Sequence, residues 1–487
     1  MIKYYSVLNV ADVSAERFYI MAFSEFLNSK RKECKELINE LSENFRYVSI
    51  LGSDVRSVGI SADRNTSNIS EGNLSECGFV IKMHNGRAFF EYSLDDISGD
   101  IPALARKITD SVKVSAALSS DMVEVPVPPD NPMTESFSRE SDDTAYSEGE
   151  ILEFCKNMRD RALSKDERIL NCMVGSASFT VSKLFITKNR ELDQNYSWVN
   201  ISAFLVMRDG EKMVETYGGS YGHKWSIAMA DFPAVLDSLV VKISKLAKAK
   251  PILPGVYDVI TDPSISGLIA HEAFGHGVEM DQFVKDRALA KQYVGKYVAS
   301  PICNMRDGAA ATLSTASYFF DDDGVLAQDT QIIKDGILVS GISDLVSASE
   351  LGTSPTGNGR RESYKRKAYS RMTNTFFEPG NDSLEDMIAS VKHGYMLFQT
   401  NNGMEDPKNW QIQCTAEYGI EIVDGKLTDN YVSPVVMSGY VPDLLKSISM
   451  VSKDFKVIGI GSCGKGYKEW VRVSDGGPSL KVKCKLA

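Results

Sequence analysis

Residues 262–281 have the sequence DPSISGLIAHEAFGHGVEMD, and this stretch gives the strongest signal in the chain. Its beginning predicts a helix, because Asp262 can accept hydrogen bonds from free backbone N–H groups and Pro263 suits the first helical position. Two of the five histidines in the protein, His271 and His276, fall inside it. We therefore expect this helix to carry a functional site.

The two histidines form the pattern HExxxH, one residue longer than the common HExxH. Two imidazoles on one helix face can ligate Zn²⁺, and Glu272 beside the first can act as base to a bound water. At about 3.6 residues per turn, however, five steps leave His276 about 140° away from His271. A π-helical turn would return both to one face, and Gly275 and Gly277 lower the cost of that distortion. The motif favours zinc over an ordinary helix with two structural histidines.

A catalytic zinc site needs a third protein ligand and one open position. The sequence alone leaves several candidates open: Glu279, Asp281, His223, His393 and any of the eight cysteines. Cys463 stands out because glycines surround it in GIGSCGKG (459–466) and Lys465 would help to hold a thiolate. A buried, apolar and unreactive cysteine is the alternative interpretation of Cys463.

The same stretch also contains GxGxxG, the pattern of dinucleotide-binding folds. That fingerprint requires a strand before it and an amphipathic helix after it. The residues that follow, YKEWVRVSDGGP (467–478), predict strand and turn instead. A nucleotide-dependent oxidoreductase is therefore disfavoured.

The first half of the chain alternates helical patterns with strands. A hairpin is expected around Asn85-Gly86, a typical two-residue turn. A segment rich in Pro, Ser and acidic residues, 119–150, predicts an exposed linker. The remaining expected elements are helices at 14–44, 147–163 and 231–249 and strands at 169–187 and 198–217. Because helix, strands and hairpin occur twice, the pattern suggests a duplicated α/β unit.

The second half predicts mostly strands, with Asp-Gly turns at 323–324, 335–336 and 424–425. Helical patterns are confined to three segments, near 263–280, 282–297 and 383–393. Consecutive hairpins favour an antiparallel sheet. The sequence thus predicts an α+β, two-domain chain: an N-terminal α/β domain of helices and hairpins (1–250), and a β-rich domain (251–487). The second domain is dominated by an antiparallel sheet that carries the zinc helix.

Two charged stretches have weaker interpretations. Asp321-Asp322-Asp323-Gly324 could bind a hard cation, but three acids before a glycine usually make a solvated turn. The basic run Arg360–Arg366 could hold a carboxylate or cover a groove, and the alternative is an exposed loop.

Composition excludes several classes of protein. The chain has 487 residues, with 54 Lys and Arg against 65 Asp and Glu, so its net charge is −11. This acidic balance argues against direct nucleic-acid binding. No stretch approaches the roughly 18 apolar residues of a membrane helix, and the N-terminus lacks the pattern of a secretory signal. We expect a cytoplasmic protein without membrane contact, whose scattered cysteines stay reduced.

Four segments of the second half resemble the TldD/PmbA family of zinc metallopeptidases, on the TldD side. They are HEAFGHGVEMD (271–281), FDDDGVLAQDTQIIKDGIL (320–338), GNGRRESYKRKAYSRMTNTFFEPG (357–380) and GSCGKG (461–466). Carried over to this sequence, the resemblance implies zinc ligands His271, His276 and Cys463, with Glu272 as catalytic base.

The resemblance also implies partners and substrates. Family members are dimers of two-domain chains that cleave short or unfolded peptides, so we expect a homodimer or a heterodimer with a PmbA-like subunit. PmbA-like subunits lack HExxxH, which this chain keeps, so an active subunit is expected. The alternative is a catalytically silent subunit that binds peptides or serves assembly only. We also expect peptides to bind by adding an extended strand to a sheet of this protein. Folded proteins should resist cleavage, because they have no free extended strand.

Overall fold

The structure is a computed structural model of the chain and describes residues 19–20, 22–72, 75–118, 124–142, 144–466 and 468–487. The described residues form a mixed α+β fold with extensive sheets and fewer helices. Among these residues, no helix has the length and apolar character needed to cross a membrane.

The first half contains five helices and ten strands in its described part. The helices are α1 (Glu25–Ser29), α2 (Arg31–Ser42), α3 (Ile101–Leu118), α4 (Glu148–Lys165) and α5 (Trp225–Leu246). The strands are β1 (Tyr19–Ile20), β2 (Tyr47–Ala62), β3 (Ser67–Glu71), β4 (Glu76–His84), β5 (Phe89–Leu94), β6 (Met133–Ser138), β7 (Glu140–Ser141), β8 (Ile169–Thr187), β9 (Arg190–Asp209) and β10 (Lys212–Gly222).

One eight-stranded sheet organises this half, in the order β10-β9-β8-β2-β4-β5, with β3 beside β2 and β6 beside β9. The first predicted repeat supplies β2, β4 and β5, and the second supplies β8, β9 and β10. The two sets meet where β2 pairs antiparallel with β8. The predicted strand over 169–187 and the hairpin of β4 and β5 are confirmed.

Two expectations for the first half need correction. The single helix over 14–44 is wrong in its described part: α1 ends at a cap on Lys30 and α2 begins after it. Residues 1–18 and 21 lie outside the described residues. The segment 119–150 is not wholly a linker, since β6 pairs parallel with β9 and Phe137 stacks on Phe319 with ring centroids 5.2 Å apart. Residues 119–123 and 143 lie outside the described residues.

The second half contains fifteen strands and five α-helices in its described part. The strands are β11 (Gly255–Thr261), β12 (Met305–Asp307), β13 (Thr330–Lys334), β14 (Ile337–Leu338), β15 (Gly359–Arg360), β16 (Tyr369–Ser370), β17 (Asn374–Phe377), β18 (His393–Asp406), β19 (Gln411–Val423), β20 (Lys426–Val432), β21 (Val435–Tyr440), β22 (Met450–Val451), β23 (Lys456–Cys463), β24 (Val471–Gly477) and β25 (Leu480–Leu486). The helices are α6 (Pro263–Leu268), α7 (Met280–Val284), α8 (Leu345–Leu351), α9 (Leu384–Ala389) and α10 (Val441–Lys446). Three non-α helical segments complete the set: a π-helix (Ile269–Gly275) and 3₁₀-helices at His276–Val278 and Leu289–Tyr293.

Two larger sheets lie in this half, a seven-stranded one around β18, β19 and β25 and a six-stranded one ending in β17-β24-β23. Most pairs are antiparallel, as expected, but β11–β18 and β17–β24 are parallel. Helices α8 and α10 were not predicted, because each is only six or seven residues long. The domain boundary at residue 250 stays a prediction.

Helix α6 leaves the end of β11 and continues into the π-helix, which brings the HExxxH residues into the core of the second half. Its first turn is capped as predicted, with the Asp262 side chain accepting a hydrogen bond from the backbone N–H of Ile265 at 2.9 Å. Ile265, Ile269 and Phe274 are almost wholly buried in one hydrophobic core. This packing fixes the helix between the two sheets.

Candidate metal centre

The HExxxH segment is a π-helix over Ile269–Gly275, as the spacing of the histidines predicted. The backbone N–H of His276 donates to the carbonyl of His271, which is the i→i+5 bond of a π-turn. The two imidazole rings therefore face one another, with centroids 5.2 Å apart and planes at 89°. One additional residue in the turn has brought both histidines to the same side.

Two glycines allow other segments of the same chain to pack closely against the π-helix. A Cβ on Gly275 would lie 2.1 Å from Sδ of Met372, and a Cβ on Gly403 would lie 2.6 Å from Cγ of Glu272. Real Cβ atoms do not come this close to other heavy atoms, so larger residues would displace the site.

Cys463, the last residue of β23, lies beside the two histidines. Its Sγ lies 3.2 Å from Nε2 of His276, and the ligand atoms of the three residues all lie within 4.8 Å of one another. Ligands of a tetrahedral zinc ion, at about 2.0–2.3 Å from the metal, are about 3.5 Å apart. Two imidazole nitrogens and one sulfur also match the ligand types of zinc. The residues fit a zinc ion with three protein ligands, and we call His271, His276 and Cys463, with the acidic side chains around them, the metal centre.

The electrostatics of Cys463 differ from those of the other buried cysteines. Burial raises the pKa of Cys34, Cys172 and Cys484 to about 12. Burial acts in the same direction on Cys463, but the nearby His271 and His276 outweigh it and lower the pKa to about 4. A thiolate at neutral pH is the form that binds metals.

Glu272 lies between the two histidines, at the wall of a cavity of about 760 Å³. Its carboxylate oxygens are 3.9 Å from Nε2 of His271 and 3.9 Å from Nε2 of His276. Burial raises the pKa of Glu272 above its ordinary value. The carboxylate therefore faces the position that a metal and its substrate would share.

Glu279 holds the outer nitrogen of His276, at 3.3 Å from Nδ1. The same carboxylate is 3.2 Å from Nε of Arg371 and 3.0 Å from Nζ of Lys465. Arg371 also donates to the backbone carbonyl of Cys463 at 3.0 Å. Since Arg371 and Glu279 are each only 1% exposed, they form a rigid support that connects one histidine to the cysteine strand.

Some polar atoms around the centre are buried and have no hydrogen-bond partner among the described residues. They are Nδ1 of His271, both carboxylate oxygens of Glu405 and Nε1 of Trp410. Burial raises the pKa of Glu405 well above its ordinary value. Glu405 also lines the 760 Å³ cavity, so an unpaired carboxyl group lies beside the metal centre.

The structure separates the candidate ligands His223 and His393 from the centre. His223 lies against Trp198 in the first half, and His393 is exposed and 3.1 Å from Glu421. Asp281 binds Lys465 at 2.8 Å instead of a histidine. The sequence analysis missed Arg371 and Glu405. The spacing of His276 and Glu279, three residues apart on a helical segment, was a usable signal for the histidine support, whereas nothing local marked Arg371 or Glu405.

The acidic turn Asp321–Asp323 is buried, so the expected solvated turn is wrong. Lys82 pairs with Asp323 and Lys183 pairs with Asp322, and both lysines come from the eight-stranded sheet. Backbone N–H groups donate to the remaining carboxylate oxygens. Asp321 accepts at Oδ1 from Asp323 and Val325 and at Oδ2 from Gly359. Asp322 accepts at Oδ2 from Arg361, and Asp323 accepts at Oδ2 from Leu345. We call the three aspartates and the two lysines the aspartate cluster.

The basic run Arg360–Arg366 is only partly an exposed loop. Arg361 is buried and pairs with Glu91 of β5 at 3.1 Å, while Lys365 and Arg366 are exposed. Arg360 is half-buried over the ring of Tyr318. The first residues of the run therefore belong to the contact between the two halves of the chain.

Comparisons with known proteins agree with this geometry. Residues 254–486 match the family profile described as "PmbA/TldA metallopeptidase C-terminal domain". A metalloprotease of Methanothermobacter thermautotrophicus is 27% identical over 461 residues, covering 92% of this chain and 96% of the relative. A zinc metalloprotease TldD homolog of Saccharolobus solfataricus is 30% identical over 303 residues, covering 61% of this chain and 67% of the relative.

The crystal structure of TldE from Thermococcus kodakarensis shares the fold. It matches with a TM-score of 0.75 and 19% identity, covering 93% of this chain and 100% of TldE. Because the sequence profile, the relatives and the fold agree over the half that carries His271, His276 and Cys463, the chain belongs to the TldD/PmbA family of metallopeptidases.

Proposed function

We propose that the protein is a zinc-dependent metallopeptidase that hydrolyses short or unfolded peptides. The observation that supports this most strongly is the group formed by His271, His276 and Cys463, whose ligand atoms lie within 4.8 Å of one another beside Glu272. Zinc, when bound by these three residues, would supply a Lewis acid that makes water more acidic and polarises a peptide carbonyl.

In this proposal Glu272 is the general base. The carboxylate lies between the two histidines and borders the cavity, so it can accept a proton from the attacking water. The same group can then deliver the proton to the amine of the departing peptide. Its position is fixed by the close approach of Gly403 on one side and the π-helix backbone on the other.

Strand β18 supports an extended peptide as the substrate. It pairs with β19 along most of its length, but β11 pairs only with residues 394–397 on the other side. Among the described residues, the part from 401 to 406 therefore has no strand on that second side, and it lines the cavity. A peptide can add to such an edge through main-chain hydrogen bonds, whatever its side chains.

The variant Glu272→Gln tests the proposed chemistry. It should keep stoichiometric zinc and its fold, while kcat for peptide hydrolysis falls by roughly 10²–10⁴-fold, as expected for loss of a general base. Zinc is measured by elemental analysis and turnover by mass spectrometry of a peptide. A variant with full turnover would assign the base to another residue, and a wild-type protein with zinc but without turnover would favour the silent binding subunit.

The substrate proposal requires a separate comparison. One small protein is incubated with the enzyme in its native form, in its reduced and unfolded form, and as short peptides of its sequence. We expect cleavage of the peptides and of the unfolded chain only, because a folded protein has no free strand to add to β18. Equal cleavage of the native form would refute strand addition.

We further propose a dimer with a second copy or with a PmbA-like chain, which light scattering of the mixed proteins would detect.

A further inference from the structure

A small pocket lined by arginines and aromatic rings lies away from the metal centre, between the eight-stranded sheet and β24. Its volume is about 120 Å³, roughly that of four water molecules in the liquid. Phe179 and Val181 of β8 and Tyr196 and Trp198 of β9 form one wall, because Phe179 pairs with Trp198 and Val181 with Tyr196 across the two strands. Arg472 of β24 also lines the pocket, against the ring of Phe179.

The pocket is distinct from the 760 Å³ cavity. Arg472 of β24 lies opposite Ser462 of β23, one position from the pair of Cys463 with Val471. Since successive side chains on a strand point to opposite faces, Arg472 projects away from the face that carries Cys463. The three metal-binding candidates do not line the pocket.

No acid in the described part of the chain lines this positively charged pocket. Arg472 lies 4.4 Å from the centre of the Phe179 ring, and Arg360 lies over Tyr318 at 5.5 Å. A third guanidinium, that of Arg139, lies over the ring of Trp198 at 5.0 Å. Among the described residues, none of these three arginines forms an ion pair, and no carboxylate is among the groups that shift the pKa of Arg139 or Arg472.

The acids in the surrounding structure are already engaged. Asp322 pairs with Lys183, and Asp321 accepts backbone hydrogen bonds from Val325 and Gly359. Asp307 accepts hydrogen bonds from threonine and asparagine side chains. None of these carboxylates is available to the pocket without breaking its present contacts.

Arg472 has an unused donor. Its Nη2 atom is buried and has no hydrogen-bond partner among the described residues. A ring face attracts the charge of a guanidinium but leaves in-plane N–H groups unsatisfied. In agreement, burial without a partner lowers the pKa of Arg472 to about 10.

We propose that this pocket binds a carboxylate group, with Arg472 and Arg360 as its cationic donors and Phe179, Tyr196 and Trp198 as its apolar wall. A carboxylate matches the planar donor array of a guanidinium, and a pocket of about 120 Å³ holds the group with one or two attached carbons. The carboxylate can come from a peptide C-terminus or from a small free acid. The proposal does not depend on zinc.

Isothermal titration calorimetry of the full chain tests this assignment with N-acetylalanine, which mimics a peptide C-terminus, and with its uncharged amide. The variant His271→Ala is titrated alongside the wild type, because a carboxylate could also bind at the metal centre. We expect both proteins to bind the acid at least tenfold more tightly than the amide. Acetate that displaces N-acetylalanine equally well would identify a small acid as the ligand, whereas weak displacement would identify a chain end.

Two arginine variants and one control complete the experiment. Arg472→Gln and Arg360→Gln should each reduce the preference for the acid by roughly tenfold, the loss of one charged hydrogen bond. Arg161→Gln, at an exposed arginine paired with Asp237, should leave the preference unchanged. Equal binding of acid and amide by the wild type would overturn the proposal. Arg360 lies on β15 and Arg472 on β24, so the two variants are separate tests. An unchanged preference in Arg360→Gln would also overturn the proposal, even if Arg472→Gln did not fold.

Discussion

The aspartate cluster and the metal centre are both buried and charged, but they differ in how completely their atoms are paired. All six carboxylate oxygens of Asp321, Asp322 and Asp323 have a hydrogen-bond or ion-pair partner. At the metal centre, Nδ1 of His271 and both oxygens of Glu405 have none among the described residues. Full pairing is typical of a structural role, whereas unpaired buried polar groups are typical of binding and catalytic sites.

Removal of the sulfur from the metal centre should have the largest effect. In Cys463→Ala, zinc affinity should fall by more than 100-fold, because loss of an outer partner alone costs 10–100-fold. Peptide hydrolysis should disappear with the metal, while circular dichroism stays near that of the wild type. Cys303→Ala is the matched control, since Cys303 is buried in the same half. Burial raises the pKa of its thiol, so Cys303 is not a thiolate at neutral pH. Retained zinc in Cys463→Ala would place the third ligand elsewhere.

Removal of one charge from the aspartate cluster should affect stability instead of chemistry. Asp323→Asn leaves Lys82 buried with only Glu91, at 3.2 Å, as its acid partner. Breaking a buried pair on one side costs about 3 kcal/mol, and denaturant unfolding of the zinc-loaded protein measures the free energy of unfolding.

Zinc content and kcat of Asp323→Asn should stay as in the wild type at temperatures where the variant is folded. The double variant Lys82→Met/Asp323→Leu should recover part of the lost stability, because it leaves no unpaired charge. A large change in kcat with unchanged stability would contradict the distinction between the two regions.

Glu279 offers an intermediate case, a fully paired residue inside the metal centre. Glu279→Gln keeps the shape but weakens the contact with Nδ1 of His276, so zinc affinity should fall by about 10–100-fold. Asp281→Asn, which alters a partner of Lys465 but no histidine contact, should change zinc affinity much less. Chelator competition measures both affinities. Equal losses in the two variants would mean that general destabilisation, and not the histidine contact, controls the metal.

The smallest expected effect is a dependence of stability on pH at Glu91, which borders the aspartate cluster. Burial raises the pKa of this carboxyl, but Arg361 and Lys82 outweigh it and hold the pKa at about 2. A lowered pKa stabilises the fold above the unfolded value of about 4.5, and this contribution is lost as the pH falls towards 2.

This shift corresponds to about 3 kcal/mol, and screening by solvent reduces it because the Glu91 side chain is 22% exposed. We therefore expect the wild type to be about 2 kcal/mol more stable than Glu91→Gln at pH 7. The difference should shrink between pH 4.5 and pH 3, as measured by urea unfolding. A constant difference over this range would show that Glu91 acts through packing and not through its charge.

Local patterns predicted local structure well. The cap at Asp262, the π-turn between His271 and His276 and the strand over 169–187 follow from helical geometry and from alternation of apolar residues. The number of residues per turn predicted a π-turn on the condition that both histidines bind one metal, because they are five residues apart.

Features that depend on distant partners were not predictable in this way. The ligand choice of Cys463 came from family resemblance, since it lies 187 residues from His276. The aspartate cluster was misjudged because its lysine partners, Lys82 and Lys183, lie 241 and 139 residues away in sequence. The strand β6 was missed because Met133 and Phe137 are sparse in a polar segment and gain their contacts from residues distant in sequence, such as Phe185 and Phe320.

The distance in sequence between His276 and Cys463 also sets a delay during synthesis of the protein. At 5–20 residues per second, a ribosome needs about 10–40 seconds to add the 187 residues that separate them. Throughout that interval the emerging chain has two histidines of the metal centre but not the sulfur. Under the proposed function, a nascent copy therefore cannot cut unfolded chains, its own included, before β23 has been made and folded against the π-helix.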